Sequence, residues 1–141
     1  MNNQIYPCLW CNNNAKQVAE FYCSVFRDSK IIQETPMVVF FEANGNKFMA
    51  LNGGSKFTFT EAISFVVTCD TQEEIDYYWN KLTADGGEES MCGWLKDKYG
   101  VSWQIVPSII GRLMSDPTRA QRVMQEVMKM RKLDIATMLN A

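Results

Sequence analysis

Three sets of residues in this 141-residue chain have the types and spacing to do chemistry: Cys8-x-x-Cys11, the carboxylate pairs Glu73-Glu74 and Glu88-Glu89, and the glycine pairs Gly53-Gly54 and Gly86-Gly87. Histidine is absent. A structural zinc site would need two further thiol or imidazole ligands beside Cys8 and Cys11, and none is spaced to supply them. The pair also falls on a predicted strand, where positions three apart point to opposite faces, whereas redox CxxC motifs open helices. Five cysteines, an odd number scattered among apolar residues, read as reduced and partly buried thiols and favour the cytoplasm. Without histidine, acid or base work would fall to Asp, Glu, Lys, Tyr or Cys with a perturbed pKa. The two Glu pairs lie at a predicted helix start and in a predicted loop, where carboxylates serve capping and solubility.

The elements that would position these residues follow from hydrophobic period and turn chemistry. A strand is predicted over 5–11, and Asn12, Asn13 and Asn14 precede a helix over 15–26 whose Val18, Phe21, Tyr22, Val25 and Phe26 recur at helical spacing. Strands over 31–34 and 37–43 follow, and Asn44-Gly45-Asn46 is a hairpin turn into a strand over 47–52. After a loop over 53–60, a strand over 62–69 leads to Asp70-Thr71, which caps a helix over 72–82 that stops near Asp85-Gly86-Gly87. Strands over 91–96 and 101–107 are separated by a turn at Asp97 to Gly100.

Both halves therefore read βαβββ. A shift of 55 or 56 positions brings Phe21-Tyr22 onto Tyr77-Tyr78, Gly45 onto Gly100, Phe48 onto Trp103 and Pro7 onto Ala62, each match on the same kind of element. This is an internal duplication, with modules at 5–52 and 61–107 in a single domain. Asp116-Pro117 starts a further helix carrying Ala120, Val123, Met124, Val127, Met128 and Arg131 at helical spacing, and a short helical segment closes the chain, so that 108–141 is a helical extension. Its methionine stripe is expected to pack on the protein's own sheet or a sister subunit; docking of a partner helix is the alternative.

Fourteen basic and sixteen acidic residues give a net charge of −2 with no long charge run, which excludes a phosphate backbone as an electrostatic partner. The apolar runs are strand-sized, far below the roughly 20 residues of a membrane span. The amino-terminal MNNQIYP lacks the basic region and apolar core of a signal peptide. The expectation is a soluble, cytoplasmic protein without nucleic-acid or membrane partners.

A duplicated βαβββ unit with Phe21-Tyr22 in its first helix resembles the vicinal oxygen chelate superfamily of glyoxalases, bleomycin-resistance proteins and extradiol dioxygenases. The stretches PCLWCNNNAKQVAEFYCSVF, KFMALNGG, ISFVV and CGWLKDKYGVSWQIVP are similar to its PhnB-like group, often labelled demethylubiquinone methyltransferase-like. The resemblance implies an α+β fold in which two tandem βαβββ modules form a cupped mixed sheet, with the carboxy-terminal helices added, and it implies a homodimer. Metal-dependent members bind a divalent ion with two histidines and two carboxylates or amides. Here Pro7 and Ala62 fall at the histidine positions, and Gln104 and Met49 or Ala50 at the other two. One neutral amide cannot hold an ion that takes four to eight ligands, so no metal and no cofactor are expected. The methyltransferase label would imply S-adenosylmethionine on a glycine-rich turn between strand and helix. No helix begins after Gly53-Gly54, and Gly86-Gly87 reads as a helix stop.

The expected function is metal-independent binding of a small molecule in an apolar, aromatic cup with a few polar groups. Strand alternation places Leu9, Ser64 and Val66 inward, and Met49 or Ala50, Trp94 and Gln104 complete the lining. The candidate ligand-binding residues are Leu9, Met49, Ser64, Trp94 and Gln104. An enzyme acting on a small metabolite or quinone, through Gln104 or a thiol, is the alternative.

Overall fold

The computed structural model describes residues 2–141, which form two compact units, one running to Phe59 and one comprising Thr60–Ala141. In the first unit, β1 (Cys8–Cys11), α1 (Ala15–Val25), β2 (Lys30–Glu34), β3 (Val38–Ala43) and β4 (Asn46–Asn52) build a four-stranded mixed sheet in the order β1-β4-β3-β2. β1 runs parallel to β4, and the other neighbours are antiparallel. Asn44 and Gly45 both take positive φ, 51° and 78°, which is the backbone of the tight hairpin that their types demand.

Alternation along β3 buries Val39, Phe41 and Ala43. These meet Val18, Ala19, Tyr22 and Val25 of the amphipathic α1, with Tyr22 stacked at 6.1 Å on Phe41 and Phe41 at 5.3 Å on Phe48. Such aromatic pairs add about 0.5–1.5 kcal/mol each beyond the area they bury. Asn14 occupies the N-cap position of α1 without a side-chain hydrogen bond. The Ala15 amide instead donates to Asn52 Oδ1 at 2.9 Å, so the end of β4 caps the helix.

The second unit repeats the plan. β5 (Phe65–Cys69), α2 (Gln72–Thr83), β6 (Glu88–Glu89), β7 (Trp94–Lys96) and β8 (Ser102–Pro107) form a sheet in the order β5-β8-β7-β6, with β5 parallel to β8. Three of the four matches made by the sequence shift sit on corresponding elements: the aromatic pairs on α1 and α2, Phe48 and Trp103 on β4 and β8, and Gly45 and Gly100 in the turns before those strands. The fourth does not, because Pro7 immediately precedes β1 whereas Ala62 lies in a turn three residues before β5. Thr71 accepts from the Glu74 amide at 3.2 Å, and Glu74 Oε2 accepts from the Asp70 amide at 3.1 Å, a reciprocal cap on α2. Ile75, Trp79 and Leu82 of α2 are buried together with Leu95, Trp103 and Ile105 of the sheet.

The turn between β7 and β8 is built on Asp97, which is 2% exposed. Its carboxylate accepts from the amides of Tyr99 (2.9 Å) and Val101 (3.1 Å) and from the Trp103 indole Nε1 (2.9 Å). A buried charge is tolerable when donors surround it in this way.

The strands expected over 5–11 and 62–69 begin only at Cys8 and Phe65, and three further features depart from the sequence reading. Glu88-Glu89, expected in a loop, is a two-residue strand, and Trp79 Nε1 donates to Glu89 at 2.6 Å. The strand expected over 91–96 begins only at Trp94, because Met91–Gly93 turns to meet the carboxy-terminal segment: the amides of Cys92 and Gly93 donate to the carbonyls of Met130 and Arg131. An unforeseen helix, α3 (Ile110–Met114), precedes α4 (Pro117–Val127) and α5 (Ile135–Leu139). Asp116 and Asp134 cap α4 and α5. Leu113, Val123, Val127, Leu133 and Met138 form the extension's own buried cluster, against which Cys92 and Val106 pack. The stripe on α4 is divided: Val123 and Val127 are buried, whereas Met124 and Met128 are exposed.

Gln72 holds the extension to α2, donating to the Leu133 carbonyl at 3.0 Å and accepting from the Ile135 amide at 2.9 Å. Lys132 pairs with Asp76 at 2.8 Å. Hydrogen bonds from Lys132 and then Gln72 hold the Asp76 carboxyl below its ordinary value. A carboxyl depressed in the folded state contributes stability above its unfolded pKa of about 4, and that contribution is lost as pH falls through the lower folded value.

Two outcomes are expected. Asp97→Ala should cost about 2–4 kcal/mol in urea unfolding, since it leaves the Trp103 indole N–H and two turn amides without their acceptor. Acidification from about pH 6 to about pH 3 should lower the melting temperature of the native protein by more than that of Asp76→Asn, which lacks the titrating group.

Candidate functional site

Directly opposed residues in a sheet share a face, so the registers sort the five candidate residues. In the first unit Leu9 stands opposite Ala50, and Ala50 opposite Val39, on the side that carries Phe41, Phe48 and α1. Leu9 is 4% exposed and belongs to the core, a correction to its expected place in a ligand surface. The expectation failed because alternation fixes which residues share a face and leaves open which face meets the helix, and here α1 covers the face that carries Leu9. Met49 lies on the other face, opposite Cys8 and Phe40.

In the second unit the ladder places Val66 and Trp94 on either side of Gln104, on the face away from α2. Gln104 Nε2 donates to Ser64 Oγ at 2.9 Å. Ser64, Trp94 and Gln104 are thus brought together, with Val66 beside them at 56% exposure. Thr68 is also exposed on this face, and no helix of this unit covers Val66 or Thr68. The result is a surface of aromatic and aliphatic groups around one amide–hydroxyl pair, which suits the flat or apolar body of a small molecule with a hydrogen-bonding group.

Sequence reasoning missed the ends of this surface. Glu88 stands opposite Lys96, and Lys96 opposite Ser102, so a second row of polar side chains crosses β6, β7 and β8. Glu61 forms an ion pair with Lys96. The two Glu pairs looked alike in the sequence, yet only Glu88-Glu89 is drawn into a sheet.

The positions at which metal-dependent relatives carry ligands do not fit a divalent ion here. Pro7 offers only a carbonyl, which accepts from the Met49 amide; Ala62 lies in a turn, and Ala50 is in the core. Among the described residues no three His, Cys, Asp or Glu side chains converge in a way that could hold a metal. Gln104 is the one side chain among these positions with a ligating oxygen, and a single neutral amide does not make a coordination shell.

The cysteines are separated as strand geometry requires. Cys8 is exposed beside Met49, and Cys11 is buried on the opposite face. Burial raises the Cys8 thiol; it pushes Cys11 to about 11, with Cys8 adding to the effect, and Cys69 to about 11, with Glu74 and Asp70 adding. All five thiols are free. Neither glycine pair joins a strand to a helix: Gly53 packs beneath the Trp10 ring, whose Nε1 donates to the Gly54 carbonyl at 2.9 Å, and Gly87 closes against the end of α2.

Two βαβββ modules, each closing a four-stranded mixed sheet under one helix, define the vicinal oxygen chelate fold of the glyoxalase and bleomycin-resistance proteins. Within that class the chain belongs to the family described as 3-demethylubiquinone-9 3-methyltransferase, whose model matches residues 3–106. It is 34% identical to a putative 3-demethylubiquinone-9 3-methyltransferase, a PhnB protein from Bacillus cereus, with a TM-score of 0.68 over 75% of this chain and all of the other. Protein PA1353 from Pseudomonas aeruginosa shares 18% identity at a TM-score of 0.61, over 75% of this chain and 98% of that one. The fosfomycin resistance protein FosX from Listeria monocytogenes, solved with Mn(II) and sulfate, shares 17% identity at a TM-score of 0.60, over 82% and 98% of the two chains. The latter two likenesses concern the fold alone. A comparison with curated protein sequences finds no match.

Thiol labelling tests the placement of the cysteines. In the native protein Cys8 should react before Cys11 and Cys69, which should label only on unfolding. Its rate should climb with pH, by about tenfold per unit below the raised pKa, because the thiolate is the reacting form.

Proposed function

We propose that this chain is a metal-independent small-molecule binding protein, whose ligand lies on the face of the second sheet away from α2. The observation that carries this reading is the cluster of Trp94, Val66 and the hydrogen-bonded pair Gln104–Ser64 on a face that leaves Val66 56% exposed. An exposed valine by itself would mean little; set beside Trp94 on one face, it forms part of an apolar patch rimmed by polar groups, the kind of surface that marks a binding site. Trp94 would supply area, and the amide and hydroxyl would orient a polar group. On the first sheet, Met49 with Phe40 and Cys8 is the corresponding candidate surface. The family's methyltransferase description is not carried over, because among the described residues neither glycine pair sits between a strand and a helix to seat S-adenosylmethionine.

The same reading makes the protein a cytoplasmic homodimer without nucleic-acid partners. The homodimer is what the family resemblance implies; the rest is supported by the net charge of −2, the free thiols, and the lack, among the described residues, of any helix long and apolar enough to cross a membrane.

Native mass spectrometry of protein purified without chelators tests the proposal. The expected spectrum is a dimer free of metal, either bare or carrying an organic adduct that Trp94→Ala weakens by about tenfold. A stoichiometric zinc, manganese, nickel or iron adduct lost on mild acidification would overturn metal independence, and a monomer would overturn the dimer.

A further inference from the structure

Next to Trp94 on the second sheet is a cleft of about 230 Å³ whose lining includes Glu61, Glu88, Glu89, Trp94, Lys96 and Ser102. Its floor is set by register: Glu88, Lys96 and Ser102 stand in line across β6, β7 and β8, and Trp94 lies two residues from Lys96 on the same face. Glu61 reaches in from the segment before β5 to pair with Lys96.

The charges are unequal. Two carboxylates, Glu61 and Glu88, share the cleft with one cation, Lys96, which is bound to Glu61; Glu89 stands opposite Leu95 on the other face, where it accepts from the Trp79 indole and approaches Arg131 at 3.7 Å. Glu88 is left to share Lys96 with Glu61. The Glu61 hydrogen bond and charge, and then Glu88, hold the Lys96 ammonium above its ordinary pKa, and Glu61 is held below its own, so both are charged at neutral pH. The balance favours one further positive charge.

Ser102 is the independent sign of a ligand. It is 1% exposed, lines the cleft, and its Oγ has no hydrogen-bond partner. A buried hydroxyl without a partner is uncommon, and here the missing partner would lie on the side of the sheet where Lys96 and Glu88 converge. A hydroxyl that needs a donor, a carboxylate short of a cation and an indole that can lie against a cation or a flat ring all suit the same chemical group.

We infer that this cleft binds the ammonium group of a small primary amine, with Glu88 as its counter-ion, Ser102 Oγ as a hydrogen-bond acceptor and the Trp94 ring against its apolar body. This rests on the reading of this face as a ligand surface, since Trp94 belongs to both, and it adds the class of molecule that the surface takes. Lys96 is the resident cation with which the ligand competes for Glu88.

Three probes of one size and differing charge, benzylamine, benzyl alcohol and benzoate, separate the alternatives when each is titrated into the full-length protein and followed by the amide and indole resonances of two-dimensional NMR. Benzylamine should saturably shift residues 88, 94, 96 and 102, and should bind about tenfold more tightly than the alcohol and more tightly still than benzoate. Glu88→Gln, at an exposed position, should weaken benzylamine by about tenfold, whereas Lys96→Gln should tighten it, a gain that misfolding could not produce. Equal or tighter binding of benzyl alcohol or benzoate at these residues would overturn the ammonium class and leave the ligand surface standing. Shifts confined to Ser64, Val66 and Gln104 would overturn the cleft but not the surface. No shift at either place with any probe would overturn both.

Discussion

The second module depends on one buried carboxylate. Asp97 gathers two turn amides and the Trp103 indole around a charge that is almost wholly removed from solvent, and in doing so it sets the exact offset between β7 and β8. A slip of one residue in an antiparallel pair would exchange the two faces of the sheet. Trp94 and Lys96 would then turn under α2, and the core residue Leu95 would turn outward. The polar turn is therefore what makes one face of this sheet a core and the other a surface with chemistry on it.

The first module reaches the same topology with different means. Its β3–β4 turn is a two-residue Asn-Gly hairpin that needs only positive φ, and its offset is held by the stacked series Tyr22, Phe41 and Phe48 rather than by a charge. The duplication has kept the order of elements, the aromatic pair on each helix and a polar row on the face away from that helix, Lys30, Glu42 and Lys47 across the first sheet and Glu88, Lys96 and Ser102 across the second, while the hydrogen-bonded pair Gln104–Ser64 belongs to the second module. The two rows differ in their ends: the second stops on the buried hydroxyl of Ser102, where the first stops on Lys47. The donors that remain are amide, hydroxyl and carboxylate side chains suited to orienting an organic molecule rather than to closing a shell around an ion.

The carboxy-terminal extension is an integral part of the second unit. Gln72 binds the backbone on both sides of Asp134, Gly93 has no room for a side chain against Leu133, and Val106 of β8 packs on the helical cluster. Burial is thereby supplied by Val123 and Val127, and the methionines of the same helix are turned outward by one step of the helical period.

Periodicity and turn chemistry by themselves determined the two βαβββ modules, the aromatic pair on each helix and the caps at Thr71 and Asp116, because each of these depends on residues near one another in the chain. Tertiary structure decided what depends on partners far away in sequence. Asn52 caps α1 across 37 residues, and the carbonyls of Met130 and Arg131 hold 91–93 out of the sheet. The packing of α1 on the face that carries Leu9 and Ala50 puts Leu9 in the core, an outcome that alternation alone could not give, since a period of two has no internal mark for which face meets the helix. The row Glu88, Lys96 and Ser102 was equally illegible: three strands bring it together, and only the hydrogen-bond register says which residue of each faces which.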